Sequence, residues 1–249
     1  MRAEKADILG VPVPNWVAPV SPDQMHWGDE MQGRYVRLEP LEVARHCDDL
    51  FAAFAADTKN QIWDYLPYGP FATAADLADW MYAACTKSDP YFFAIVDQGT
   101  YRANGVASYL RINPHGGSIE VGHINFAPIL QSTIGATEAM YLMMHWAFMA
   151  GYRRYEWKCN ALNLKSRRAA QRLGLSYEGV FRQATISKGR NRDTAWFAAI
   201  DAEWPSLQIA FENWLQRDNF DAAGQQKLSL SAMTEPVLVL RDPMLASQE

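Results

Sequence analysis

The chain is poor in the residues that build covalent or metal frameworks. It has three cysteines, Cys47, Cys85 and Cys159, in 249 residues. An odd, widely spaced set gives neither a disulfide framework nor a zinc pattern. The five histidines lack ligand spacing too, so no metal site is expected. Positive charge is not in excess. The net charge is −5 and the pI about 5.6, which argues against a nucleic-acid surface. No apolar run approaches the roughly 18 residues of a membrane span, and the Met1 end has no apolar signal core. No internal repeat is visible. These absences point to a reduced, cytoplasmic protein with neither a membrane nor a nucleic-acid partner.

What the chain has is apolar bulk. At 49% apolar it can fill one full-sized core, and one large domain is expected rather than two. Nine Trp and eleven Tyr exceed what a pocket needs, so most belong to the core. Residues 1–30 contain Pro12, Pro14, Pro19 and Pro22 and little periodicity. They read as an extended arm lying on the domain or on a partner. Residues 31–220 carry the periodic segments. The tail, 221–249, is polar apart from Val237-Leu238-Val239-Leu240, which is either disordered or docks as an extra strand. Arm and tail together raise a homodimer as an expectation.

Within the domain, alternation predicts a first strand over Arg34–Glu39. Val43, Cys47, Leu50, Phe51 and Phe54 recur at helical spacing over 42–54. A rigid aromatic turn, Trp63 to Phe71, leads to a second helix over 73–85. Strands follow over Tyr91–Val96, Gly105–Ile112 and Ser118–Phe126, the first apolar on both faces and so central. A helix over Ile134–Ala150 is apolar nearly all round. Then come a strand over Tyr155–Asn160, a helix over Leu164–Leu173, and a hairpin of Tyr177–Ser187 and Thr194–Asp201 around Lys188–Asp193. A last helix spans 204–217.

The stretch from Phe126 to Tyr177 carries the chemistry. A strand end runs into the polar turn Gln131-Ser132-Thr133 and then into the apolar helix. The first amides of a helix have no intrahelical partner and sit at the positive end of the macrodipole, so they suit a diphosphate. Ser132, Thr133, Gly135 and Ala136 are small enough to let one approach. In the next helix Asn163 occupies the N-cap position and Gly174 the left-handed position after the end. Ser166 lies in its first turn.

These motifs resemble the GNAT superfamily of acetyltransferases, and within it the RimJ/RimL-like N-acetyltransferases. The resemblance spans about Gly33 to Asp201. It is carried by Ile119-Glu120-Val121-Gly122-His123, Gln131 to Ala136, Asn163-x-x-Ser166, and Arg172-Leu173-Gly174-Leu175-x-x-Glu178-Gly179. It implies an α+β fold, α/β/α layered, with a mixed, twisted, splayed central sheet of about seven strands and helices on both faces. Acetyl-coenzyme A is the implied co-substrate, with no metal. Carried over by position, Ile124 and Phe126 offer backbone groups to the pantetheine and thioester. The Gln131, Ser132, Thr133, Ile134, Gly135, Ala136 and Thr137 segment holds the diphosphate, and Asn163 meets the pantetheine arm. Arg153, Arg154, Arg167, Arg168 and Arg172 flank these motifs.

Two positions depart from the family pattern. Ile134 stands where the first loop glycine belongs, which implies a differently shaped turn. Ala170 stands where many members have a tyrosine acid; RimJ/RimL-like members offer a serine instead, and the resemblance implies that Ser166 meets the departing thiolate. The implied reaction is direct attack of a primary amine on the thioester, the amine belonging to a protein or peptide N-terminus or to a small amine or amino-acid derivative. Glu120 is the first candidate base, read alternatively as a structural carboxylate. Asp64 competes with it, read alternatively as a turn former. Trp63, Tyr65 and Tyr68 line the acceptor side or pack the core. The competing function is a non-catalytic acyl-coenzyme A sensor or scaffold.

Overall fold

The computed structural model describes residues 10, 12–13, 16–25, 27 and 31–246. The alternating segments form β1 (Val36–Pro40), β2 (Tyr91–Asp97), β3 (Ala103–Asn113), β4 (Ser118–Phe126), β5 (Arg154–Asn160), β6 (Ser176–Ser187) and β7 (Arg190–Ile200). They make one sheet in the order β1-β2-β3-β4-β5-β7-β6. Every neighbouring pair is antiparallel except β4 and β5. Helices α1 (Val43–Phe54), α2 (Ala74–Cys85), α3 (Ile134–Met149), α4 (Leu164–Arg172) and α5 (Trp204–Trp214) complete the domain. This is the α+β class and strand number that the motifs imply.

Two cores lie on opposite faces of the sheet. Leu50, Phe54, Leu77 and Met81 of α1 and α2 pack on Phe92, Ala94, Val96 and Val106. On the other face α3 and α5 pack on Ile95, Tyr109, Val121, Trp157 and Phe197. Because α3 is enclosed by the sheet and α5, it is apolar around its circumference. Its one carboxylate, Glu138, is buried and accepts the amides of Arg34, Tyr35 and Val36 at 2.8, 2.7 and 2.9 Å. It fixes the entry to β1, a role its place in an apolar helix gave no hint of.

Several local expectations are corrected. Of the two alternatives for the arm, its described part lies on its own domain: Trp27 packs in the larger core, 4.9 Å from the rings of both Phe93 and Trp146. Pro22–Gln24 forms a 3₁₀ turn there; Pro14 lies outside the described residues. The first strand starts two residues later than predicted, since the Arg34 and Tyr35 amides go to Glu138. The hairpin loop expected over Lys188–Asp193 shrinks to Lys188-Gly189, with φ of 48° and 72°. Two consecutive left-handed residues make a turn that matches the strand twist, and the ladder continues through Arg190–Asp193. The last helix ends at Trp214.

The described part of the tail, to residue 246, is folded and is not a strand. It forms α6 (Leu230–Thr234), a 3₁₀ turn at Glu235–Val237, and α7 (Pro243–Ala246). Val239 N and Leu240 O bond Ser176 Oγ and Tyr177 N, but no ladder follows. Asp242 is buried and pairs in two parallel bonds of 2.6 Å with the equally buried Arg167 of α4. Its amide also donates to Gln171 Oε1 at 2.8 Å. The tail therefore clamps α4.

Candidate active site

The parallel pair β4 and β5 is in register only from Ser118–Val121 against Arg154–Trp157. Beyond that β4 stays with β3 and β5 stays with β7. A bulge at His123, whose φ is 50°, helps turn β4 away. The wedge that opens is flanked by Gly122–Phe126 on one side and Lys158–Asn160 on the other. Ile124 and Phe126 thus border the opening. Strand amides with no neighbouring strand need another partner.

At the wide end of the wedge lies the turn into α3. Thr133 is the N-cap and its Oγ1 accepts the Ala136 amide at 3.1 Å. The amides of Gln131 and Thr133 go to Ala127 O and Leu130 O. Of the expected cradle, Ile134 and Gly135 therefore carry the amides without an intrahelical acceptor. The left-handed residue is Ser132, with φ of 60°, while Ile134 is already helical. Gly135 is needed for packing, because a Cβ there would come within 2.9 Å of Val36 Cγ1. The Gln131 side chain donates to Phe126 O at 2.9 Å, tying the turn to β4.

Helix α4 forms the opposite wall. Asn163 Oδ1 accepts the Ser166 amide at 3.1 Å, as an N-cap should. Ser166 Oγ accepts from Trp157 Nε1 at 2.9 Å, and its hydroxyl also interacts with the Cys159 thiol. Burial pushes the nearby Cys159 thiol up to about 11, opposed by Ser166, so it is a neutral neighbour. Arg172 reaches from α4 to Thr137 Oγ1 at 3.1 Å and bridges the two walls. Burial holds its pKa below the usual arginine value. Ala170 is fully buried.

The other face of the sheet holds the charged groups. Glu120 is buried beneath Lys158 Nζ at 2.9 Å and Arg111 Nη1 at 2.7 Å. Burial pushes its carboxyl up, against the pull of those two cations. Lys158 also meets Glu156 at 2.7 Å and lies 3.9 Å from the centre of the Trp196 ring. Sequence reasoning passed over Lys158 and Trp196. Their signal was alternation along β5, where Arg154, Glu156 and Lys158 face one way and Tyr155, Trp157 and Cys159 the other.

The aromatic turn divides in two. Trp63 is only 4% exposed and packs on Phe54 and Phe71, so its indole belongs to the core. Its carbonyl accepts Lys188 Nζ at 2.8 Å. Asp64 is exposed at the end of the 3₁₀ turn Gln61–Trp63. Tyr65 Oη donates to Leu162 O at 3.3 Å, just before α4. Tyr68 stacks on His123 at 5.5 Å. Burial, with Arg111 and Arg192 nearby, lowers the His123 pKa to about 4. The ring is therefore neutral at physiological pH.

Among the described residues there is no group of three or more metal-ligating side chains and no helix long and apolar enough to cross a membrane. Among curated protein sequences none matches this chain. The family model described as Acetyltransferase (GNAT) domain matches residues 36–176. A GCN5-related N-acetyltransferase from Brucella melitensis is 43% identical and superposes with a TM-score of 0.85 over 90% of this chain and 100% of its own. A probable acetyltransferase of the GNAT family from Chromobacterium violaceum is 36% identical, with a TM-score of 0.71 over 78% of this chain and 95% of its own. RimL, a ribosomal L7/L12 alpha-N-protein acetyltransferase solved in complex with coenzyme A, shares the fold at 20% identity, with a TM-score of 0.57 over 68% of this chain and 95% of its own. With a family model covering more than half its length and two relatives above a third identical, this chain belongs to the GNAT family of acetyltransferases.

Proposed function

We propose that the chain moves an acetyl group from acetyl-coenzyme A to a primary amine by direct attack. The observation that carries this reading is the wedge between β4 and β5, walled by the Gln131–Thr137 turn and by the Asn163–Ser166 end of α4. Acetyl-coenzyme A would supply the activated thioester. Ile134 and Gly135 amides would hold its diphosphate, with Arg172 adding positive charge across the turn. Strand amides near Ile124 and Phe126 would hold the pantetheine and polarise the carbonyl. RimL, although distant, has the same fold and was solved with coenzyme A.

Ser166, whose oxygen accepts from the Trp157 indole, would turn its hydroxyl proton from the Cys159 thiol to the departing thiolate. An amine must lose its proton before attack. An α-amino group near pKa ~8 does so readily at neutral pH, and a lysine near ~10.4 does not. Glu120, with its raised pKa, would take that proton through water, while Lys158 and Arg111 hold it in place. The RimJ/RimL-like branch rests on the Asn163-x-x-Ser166 and Ala170 positions. A thiol-release screen over amines, amino acids and short peptides tests the reading. Turnover that falls at least tenfold in both Ser166→Ala and Glu120→Gln supports it. Wild-type turnover in both variants would refute the catalytic assignment. Acetyl-coenzyme A binding without thiol release for any amine would favour a sensor.

A further inference from the structure

Nine buried side-chain nitrogen or oxygen atoms among the described residues lack a hydrogen-bond partner in the protein. Five of them belong to the acceptor face around the wedge: Tyr68 Oη, His123 Nδ1, Asn125 Nδ2, Arg192 Nε and Trp196 Nε1. Native interiors rarely leave such groups unpaired, because each costs about 1–3 kcal/mol. Asn125 is 2% exposed, so its amide is deep as well as unpaired. Four of the five can only donate or donate readily, and His123 can take either tautomer.

These side chains share one surface. Asn125 pairs with Val106 and so faces the α1 and α2 side of the sheet. His123 stacks on Tyr68 and lies 5.2 Å from Phe92 of the same face. Trp196 carries Lys158 over its ring, and Lys158 leads to Glu120. Arg192 acts electrostatically on both His123 and Glu120. It is half-buried, and among the described residues no carboxylate lies within ion-pair distance of it. Burial, with Arg111 nearby, holds its pKa down against the opposing pull of Glu120 and Cys159. Around it stand Arg111 and Lys158 against Glu120 and Glu156. The surface is therefore rich in donors and holds a half-buried guanidinium with no carboxylate in direct contact.

We infer that this surface binds an acceptor that carries a carboxylate beside its amine: a small amino acid or amino-acid-like molecule. The inference rests on the acetyl-transfer reading and names the substrate class of the same site. Arg192, with Trp196 Nε1 and Tyr68 Oη, receives the carboxylate. The amine then lies toward Glu120 and the wedge. Two ties favour a compact acceptor over a polypeptide. Lys188 on Trp63 O and Tyr65 on Leu162 O join the aromatic turn to the hairpin and to the start of α4, bounding the surface on two sides.

The test compares a panel of amino acids with their carboxamides in the thiol-release assay, in wild type and in Arg192→Met. The carboxylates should exceed their amides by at least tenfold in kcat/KM. The carboxamides carry more free base at neutral pH, so the comparison is biased against the inference. Arg192→Met should lower kcat/KM for the carboxylates 10- to 100-fold through KM. It should lower kcat/KM for the amides far less, by no more than the shift in Glu120 that loss of the charge brings, and leave the KM for acetyl-coenzyme A unchanged. Equal use of amides and acids, or an effect of Arg192→Met on acetyl-coenzyme A alone, would overturn the inference while acetyl transfer stood. If no amine is turned over, the acetyl-transfer reading fails by itself. The carboxylate site is then read by tryptophan fluorescence on titration with the same amino acids. A saturable change in wild type that is lost in Arg192→Met supports the site, and no carboxylate-dependent change rejects it.

Discussion

Removing the carboxylate of Asp242 should destabilise the fold far more than a residue eight from the chain end suggests. Its side chain is 0% exposed and that of Arg167 is 2% exposed, and the two make parallel bonds of 2.6 Å. In Asp242→Ala the guanidinium keeps Ala161 O at 2.7 Å but loses its counter-charge. An uncompensated buried charge costs roughly 3–5 kcal/mol. The tail can relieve this by lifting off, which gives up the Thr234 bond to Arg172 O and the Leu230 packing instead. We expect about 3 kcal/mol in total. With an m-value of about 3 kcal/mol per molar, the urea midpoint falls by about 1 M. Tryptophan fluorescence follows the transition. The double variant Asp242→Ala with Arg167→Met replaces both charges and should recover more than half of the loss. A single variant within 1 kcal/mol of wild type, or a double variant no better than the single, would refute the reasoning. Because Arg167 follows Ser166, the single variant should also raise the KM for acetyl-coenzyme A several-fold.

Ser166→Ala should lower kcat about 10- to 100-fold with little change in coenzyme KM, and should shift the emission of Trp157, which loses its acceptor. His123 is held near pKa 4, below its ordinary 6.5, so the unfolded chain takes up the proton first as pH falls. The stability this group confers is complete above pH 6.5 and lost between there and about 4, some 3 kcal/mol in all. His123→Gln should flatten the urea midpoint across that window; an unchanged slope would contradict the burial of the ring. Gly174 has φ of 87°, and a Cβ there would overlap Leu207 Cδ2. Gly174→Ala should cost about 2–4 kcal/mol in unfolding experiments, combining left-handed strain with overpacking.

The sequence made the regular elements legible because each has a single dominant period. The strand over 155–160 and the cap at Asn163 are local signals, and they are observed where expected. What stayed hidden depends on groups far apart in the chain. Glu138 looks like a stray charge until the amides of Arg34–Val36 reach it across a hundred residues. Asp242 looks like tail until Arg167 is beside it. Trp63 stayed open between pocket and core because an aromatic turn reads alike whether its rings point in or out. Arg192 fell into a loop that the Lys188-Gly189 turn then shortened, and only the extended ladder put its side chain on the acceptor face.

The sheet also separates the chemistry into two independent halves. On the α3 and α4 side lie the helix-start amides, Arg172, Trp157 and Ser166, all suited to an anionic thioester carrier and its leaving group. On the α1 and α2 side lie Glu120, Lys158, His123, Trp196 and Arg192, suited to an amine and its charge. Inward and outward side chains of β5 alternate, so Trp157 serves one half and Lys158 the next position serves the other. The two faces meet only where β4 leaves β5, after Val121 and Trp157. An acyl group passing between them has to cross at that point. Variants on one face should therefore change the KM of one substrate without the other, and only changes at the wedge itself, at Gly122 or Ile124, should move both together.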